Sequence, residues 1–329
     1  MKRYDALDGV RSIAMIGVLV MHVLANVSYR ANLSTLYNYI MYFGRFTSLF
    51  MMVSAFSVNC GYYTKIQKGG EEIEKFYTKR YKKILPFFAF LTLVDIILEF
   101  SIQNVFEGFA NVTLAFGLIP HESITVIGVG WTLGVIFVFY MLYPFIVFLM
   151  KSRLRFFIAF LISLIYAFVV NEYFGLGKVD FLYCACYFLG GCLIFLYKDN
   201  IETIFDRKFM LGIVVALTVI YYICVFKCEA LINGIQFLLF AAIIMLAITI
   251  SDKKSILSNK VMKFFSGISL EIYLCHMVIY RVVEKLGLLH IAKSDLLSYI
   301  LASAMTLAGA VLLSIIFRKI EEVCRARFI

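Results

Sequence analysis

The feature that most constrains this chain is the recurrence of long apolar stretches, at residues 7–28, 36–62, 84–103, 124–150, 155–171, 179–197, 209–227, 230–250, 261–281 and 296–317. A helix needs roughly 20 apolar residues to cross about 30 Å of hydrocarbon, and most of these stretches approach or exceed that length. One soluble core cannot absorb them. At 63% hydrophobic and 16% charged, the chain is well away from a soluble domain, which is closer to half apolar and a quarter charged. The expectation is an all-α, polytopic membrane helix bundle of about ten transmembrane helices, forming one integral-membrane domain over residues 1–329.

Charge placement supplies the orientation. Lys2 and Arg3, the cluster from Lys65 to Lys83, Lys151, Arg153, Arg155, Arg207, Lys208, Lys253, Lys254, Lys260, Lys263, Arg318 and Lys319 fall on one side of the alternating runs. The opposite side carries far fewer, among them Arg30, Lys178, Arg281 and Lys293. Basic residues concentrate in cytoplasmic connections, so both termini are expected inside. The net charge of +10 then reflects topology and anionic headgroups, and no nucleic acid is expected as a partner. Lys2 and Arg3 ahead of an apolar run imitate a signal peptide, but the run contains Asp8, Arg11 and His22 and no small-residue cleavage pattern follows, so it reads as an uncleaved first span. The eight cysteines lie mostly in apolar stretches without metal-ligand spacing, and no metal is expected.

The connection 64–83, TKIQKGGEEIEKFYTKRYKK, predicts a short surface helix after the Gly69–Gly70 break, with Glu71 four residues before Lys75. The connection 101–123 holds Glu107, His121 and Glu122 but no Lys or Arg, as suits an outward loop.

Ionisable side chains at membrane depth are costly, which makes each a candidate for function. Arg11 and His22 are eleven residues apart, close to three helical turns, so Arg11, Met15, Val18 and His22 share a face. At about 1.5 Å per residue they are separated by roughly 16 Å along the axis. The alternative is structural, with Arg11 reaching the headgroups beside Asp8 and His22 satisfying a bundle hydrogen bond. A neutral imidazole can instead take a proton from a hydroxyl. Arg45, Asp95 and Glu99 read as interhelical pairs, while Ser269, Tyr273 and His276 divide between helix-helix hydrogen bonds and site lining. Trp131, the only tryptophan, is by itself an interface anchor.

Four stretches, taken together, resemble the acyltransferase family three, the integral-membrane bacterial O-acyltransferases. LDGVRSIAMIGVLVMH at residues 7–22 is similar to the family's opening helix, and LFMMVSAF followed by FYTKRYKKILP to its second signature. WTLGVIFVFYMLYP and GISLEIYLCH complete the set, in the family's order. Ala55 stands where the family often has glycine, Lys83 where the distal arginine is common, and Ile136 where one large branch carries glutamate.

The resemblance implies a multi-pass protein of the bacterial cytoplasmic membrane that moves an acyl group, most often acetyl, from cytoplasmic acyl-CoA to a hydroxyl of a cell-surface or lipid-linked sugar. It implies His22 as the catalytic residue and Arg11, Arg80 and Lys83 as cations for the acyl-CoA donor. Asp8, Arg45, Trp131, Ser269, Tyr273 and His276 are candidates to line the site, Tyr273 and Trp131 also to stabilise the oxyanion. No tightly bound cofactor is expected: acetyl-CoA is a donor substrate, and the partners are the bilayer and a glycan acceptor. A proton-coupled secondary transporter is the competing class, but no inverted repeat or matched pair of broken spans is visible. A non-catalytic scaffold would have no need of the Arg11–His22 stripe.

Overall fold

The computed structural model describes residues 3–114, 116–119, 124–227, 231–250 and 255–327, and among these it is helical with no strand. The helices are α1 (Ala6–Asn26), α2 (Ser34–Ile40), α3 (Phe46–Ile66), α4 (Gly70–Leu98), α5 (Ile102–Thr113), α6 (Trp131–Met141), α7 (Tyr143–Met150) and α8 (Arg153–Phe168). They continue as α9 (Phe181–Leu196), α10 (Lys198–Ile204), α11 (Arg207–Lys227), α12 (Ile232–Thr249), α13 (Lys260–Gly267), α14 (Ser269–Lys285) and α15 (Asp295–Arg327). All-helical structure follows from the solvent, since hydrocarbon leaves each backbone amide to find its partner within its own segment.

Among the described residues, five helical stretches are long and apolar enough to cross a membrane: α1, Ser28–Ile66, the α11 stretch Arg207–Val225, α12 and the α15 stretch Asp295–Cys324. Three bent pairs raise this to as many as eight: Gly128–Met141 with α7 at 56°, α9 with α10 at 64°, and α13 with α14 at 68°. The first bend falls at Leu142, where Pro144 in the opening turn of α7 has no N–H to continue the ladder of α6. The two remaining apolar runs lie in α8, only 16 residues long, and in the second half of α4, whose first half is charged.

The connection 64–83 forms a helix that leads into the next apolar run. It makes up the first turns of α4, which continues without a break for 29 residues and contains Pro86. The break sits where the sequence places it, since Gly69 has φ 91°, which a side chain would disfavour. Lys75 pairs with Glu71 at 2.6 Å.

At the centre of the bundle, α1 packs against α3, α12, α13, α14 and α15. Its buried face includes Val10, Ala14, Met15 and Val18. Close approach is built into the packing: a Cβ on Gly9 would collide with the backbone of Leu257, and one on Gly191 of α9 with the carbonyl of Met52 in α3. The outer surface is apolar, with Leu93, Ile97, Leu154, Phe157, Ile158, Val215 and Leu312 all exposed, an arrangement suited to lipid rather than water. Of the cysteines, Cys184, Cys186, Cys192, Cys224 and Cys275 are buried, Cys60 is partly so, and Cys324 is exposed. Cys228, His121, Glu122, Lys2, Lys253 and Lys254 lie outside the described residues.

Candidate active site

Two cavities meet α1, one at Arg11 and one at His22. The first, of about 340 Å³, lies at the level of Arg11 and is lined by Arg11, Arg80 and Lys83, by Ser54, Ser57 and Phe50 of α3, by Thr132, Leu133, Ile136 and Tyr140 of α6, and by Ser266, Ser269 and Tyr273. Three cations converge here, and among the described residues none of the lining side chains is a carboxylate. The result is a cationic pocket with apolar walls, where an anion would be both attracted and shielded from water.

Each cation is held differently. Arg11 donates to the Ser57 hydroxyl and stands 3.5 Å from Asp8. Asp8 is itself shared, accepting from Arg3 at 2.8 Å and from the Ser266 hydroxyl at 2.7 Å. It therefore orients Arg11 without claiming its full charge. The Arg80 guanidinium sits among three rings, 5.0 Å from that of Tyr62, 5.3 Å from Phe76 and 4.9 Å from Tyr140. This aromatic box fixes its position by cation–π attraction, and its Nε is buried with no hydrogen-bond partner. One turn further along α4, Lys83 reaches the same cavity.

The second cavity, of about 280 Å³, lies toward the other end of α1. It is lined by His22, Asp95, Thr125, Ile127, Gly128, Val129, Leu274, Met277, Val278 and Arg281. Its charged wall is a pair between Arg281 of α14 and Asp95 of α4, and Glu99 joins at 3.1 Å. The free Asp95 oxygen accepts the Ile127 N–H at 3.0 Å. Ile127 has φ 51°, an unusual conformation for a β-branched residue. The segment before it is tied down as well: one Glu107 oxygen takes the Thr125 and Val126 N–H groups at 2.7 and 3.0 Å. Burial raises the Glu107 carboxyl, but these bonds, with those from the Thr125 hydroxyl and Gln103, outweigh it and leave its pKa below the ordinary value. Asn111 donates to the Val126 carbonyl at 2.8 Å.

Tyr273 stands between the two cavities. Its hydroxyl donates to the Val129 carbonyl at 2.8 Å and lies 3.0 Å from Thr132 Oγ1, which can donate back. Tyr273 and Thr132 face the cationic cavity, and Val129 faces that of His22. Three turns of α1 thus carry Arg11 and His22 to separate cavities, and the Tyr273–Val129 bond joins a wall residue of one to a wall residue of the other.

The remaining expected residues fall in various places. Ser269 lines the cationic cavity, its hydroxyl donating to the Ser266 carbonyl at 3.0 Å. His276 lines neither cavity but packs behind His22, with ring centroids 5.2 Å apart. Trp131 opens α6 partly buried and next to Thr132, and lines neither cavity. Arg45 is remote from both: it donates to Asn233 and Gln236 at 2.7 Å each, beside the Tyr42 ring. Asp95 and Glu99 do pair between helices, but with Arg281, one of the outward basic residues of the sequence. Its one available signal was its position on the helix of His276, five residues on.

A family profile described as an acyltransferase domain matches residues 4–315. Comparison with curated proteins and with solved structures gave no match. The profile takes in every element that builds the two cavities, from α1 to most of α15, and the chain belongs to the acyltransferase family three as a membrane acyltransferase.

Proposed function

We propose that the protein transfers an acyl group, acetyl in the simplest case, from cytoplasmic acyl-CoA to a hydroxyl of a cell-surface or lipid-linked sugar. The observation that carries this reading is the convergence of Arg11, Arg80 and Lys83 on one cavity while His22, on the same helix as Arg11, faces another. Acyl-CoA is a bulky polyanion, and charge-assisted bonds to its phosphates match the first cavity. The bias of basic residues among the connections supports a cavity open toward the cytoplasm of a bacterial plasma membrane. The second cavity, with His22, Thr125, Asp95 and Arg281, takes the acceptor.

In this mechanism His22 removes the proton of the acceptor hydroxyl as its oxygen attacks the thioester carbonyl. The new C–O bond forms, the C–S bond breaks, and the proton passes from His22 to the departing sulfur. The thioester must come past Tyr273, so its bond to Val129 opens during the cycle. While that bond is closed, its only proton is committed, and Tyr273 serves as an oxyanion donor only once released. Purified protein incubated with radiolabelled acetyl-CoA tests the reading: slow hydrolysis, or transfer to added glycan, is expected, and a protein that binds no acetyl-CoA and turns none over is not this enzyme.

A further inference from the structure

His276 is almost wholly buried, at 1% exposure, and bonds back to its own helix. Its Nδ1 lies 2.7 Å from the carbonyl of Tyr273, one turn back on α14. A carbonyl can only accept, so Nδ1 carries the hydrogen and Nε2 is left as a bare lone pair. That Nε2 is buried with no partner among the described residues. Buried acceptors in native proteins are nearly always satisfied, and one that is not calls for an explanation.

The surroundings narrow the choice. The two rings recorded beside His276 are Tyr273, at 6.0 Å, and His22, at 5.2 Å and tilted by 43°. The Tyr273 hydroxyl already serves Val129 and Thr132. No hydrogen bond involving the His22 ring nitrogens is recorded among the described residues, and that ring borders the second cavity. A centroid separation of 5.2 Å is within the span of two imidazoles joined by an N–H···N bond.

We propose that His276 is the positioning residue for His22, its Nε2 accepting the N–H of the His22 ring so that the other His22 nitrogen faces the acceptor as a base. The inference rests on His22 being the general base. The backbone carbonyl of Tyr273 sets the tautomer of His276, which in turn sets that of His22. When His22 takes the acceptor proton it becomes an imidazolium, and the bond to His276 becomes charge-assisted. The logic is that of the aspartate that orients a catalytic histidine in hydrolytic triads, without placing a second full charge inside a membrane. The proton stays on His22 until the departing CoA sulfur takes it, and nothing is oxidised or reduced.

The test compares His276→Phe and His276→Gln with wild type in detergent, measuring acetyl-CoA turnover, the KM for acetyl-CoA and the melting temperature. His276→Phe should lower kcat by about 100-fold, as misorienting a base does, with donor KM unchanged. The melting temperature should change little, because phenylalanine keeps the packing of the ring and only one neutral hydrogen bond is lost. Glutamine carries a carbonyl to the place of Nε2, so His276→Gln should regain at least about a tenth of wild-type kcat. Wild-type kcat in His276→Phe overturns the proposal. So does a glutamine variant no better than the phenylalanine one, or activity lost in step with melting temperature. If His22→Gln is inactive while His276→Phe is normal, only the positioning role fails; an active His22→Gln enzyme removes the general base and this inference with it.

Discussion

The Tyr273 hydroxyl donates to the carbonyl of Val129, bonding a residue that lines the cavity of three cations to one that lines the cavity of His22. In the proposed reaction the acyl group passes this bond, which gives it a measurable consequence. Tyr273→Phe leaves the Val129 carbonyl and Thr132 hydroxyl without this partner, at about 1 to 3 kcal/mol. The melting temperature should fall modestly, and acceptor-independent hydrolysis of acetyl-CoA should rise several-fold as water enters from the second cavity. A variant with wild-type hydrolysis would show that the hydroxyl does not control passage.

Removing a cation from the first cavity should weaken the donor and little else. Arg80→Ala and Lys83→Ala are each expected to lower acyl-CoA affinity by about ten- to a hundred-fold, the value of a charge-assisted contact to phosphate. Isothermal titration of the double variant decides the matter. Wild-type affinity there would reassign both residues to topology.

For His22 the two replacements carry separate information. His22→Ala should keep insertion and CoA binding while transfer drops by about 10²- to 10⁴-fold. Glutamine can hydrogen-bond but cannot take the proton, so His22→Gln should be nearly as inactive. Rescue by glutamine, with alanine losing melting temperature and activity together, would instead make His22 a packing residue.

The Arg281–Asp95 pair supports the second cavity by stability as well as charge. Arg281→Met leaves Asp95, only 7% exposed in its side chain, buried with the Ile127 amide as its remaining bond. A cost of about 2 to 4 kcal/mol is expected, somewhat below that of a fully buried pair because Arg281 is partly exposed. Adding Asp95→Leu should recover part of the stability and none of the activity. Thermal unfolding of both variants would reveal this, and a single variant as stable as wild type would reduce the pair to a surface contact.

Orientation can be measured directly. A cysteine in place of Lys79, in the charged first half of α4, should react with an impermeant thiol reagent only from the cytoplasmic side. Labelling from outside would invert every assignment of donor and acceptor side.

Some of this arrangement was legible from residue order alone. The apolar runs specify helices because hydrocarbon offers a backbone no other partner, and 3.6 residues per turn put Arg11 and His22 on one face whatever surrounds them. Gly69 marks its break for the same local reason. The approach of Arg80 and Lys83 to Arg11 was implied by family resemblance, and became geometry only when α4 packed against α3 and α14, which themselves pack against α1. Which carboxylate meets which arginine was not readable: Asp95 and Glu99 lie more than 180 residues from Arg281, and Arg45 bonds to neutral amides on α12 instead. Nor could the sequence show that the Arg11–His22 stripe serves two chambers, or that His276 stands behind His22 with a bare nitrogen. Local periodicity says which way a side chain points along its own helix; what it points at is decided by the crossing of α1, α4, α6 and α14, a matter of packing between segments distant in the chain.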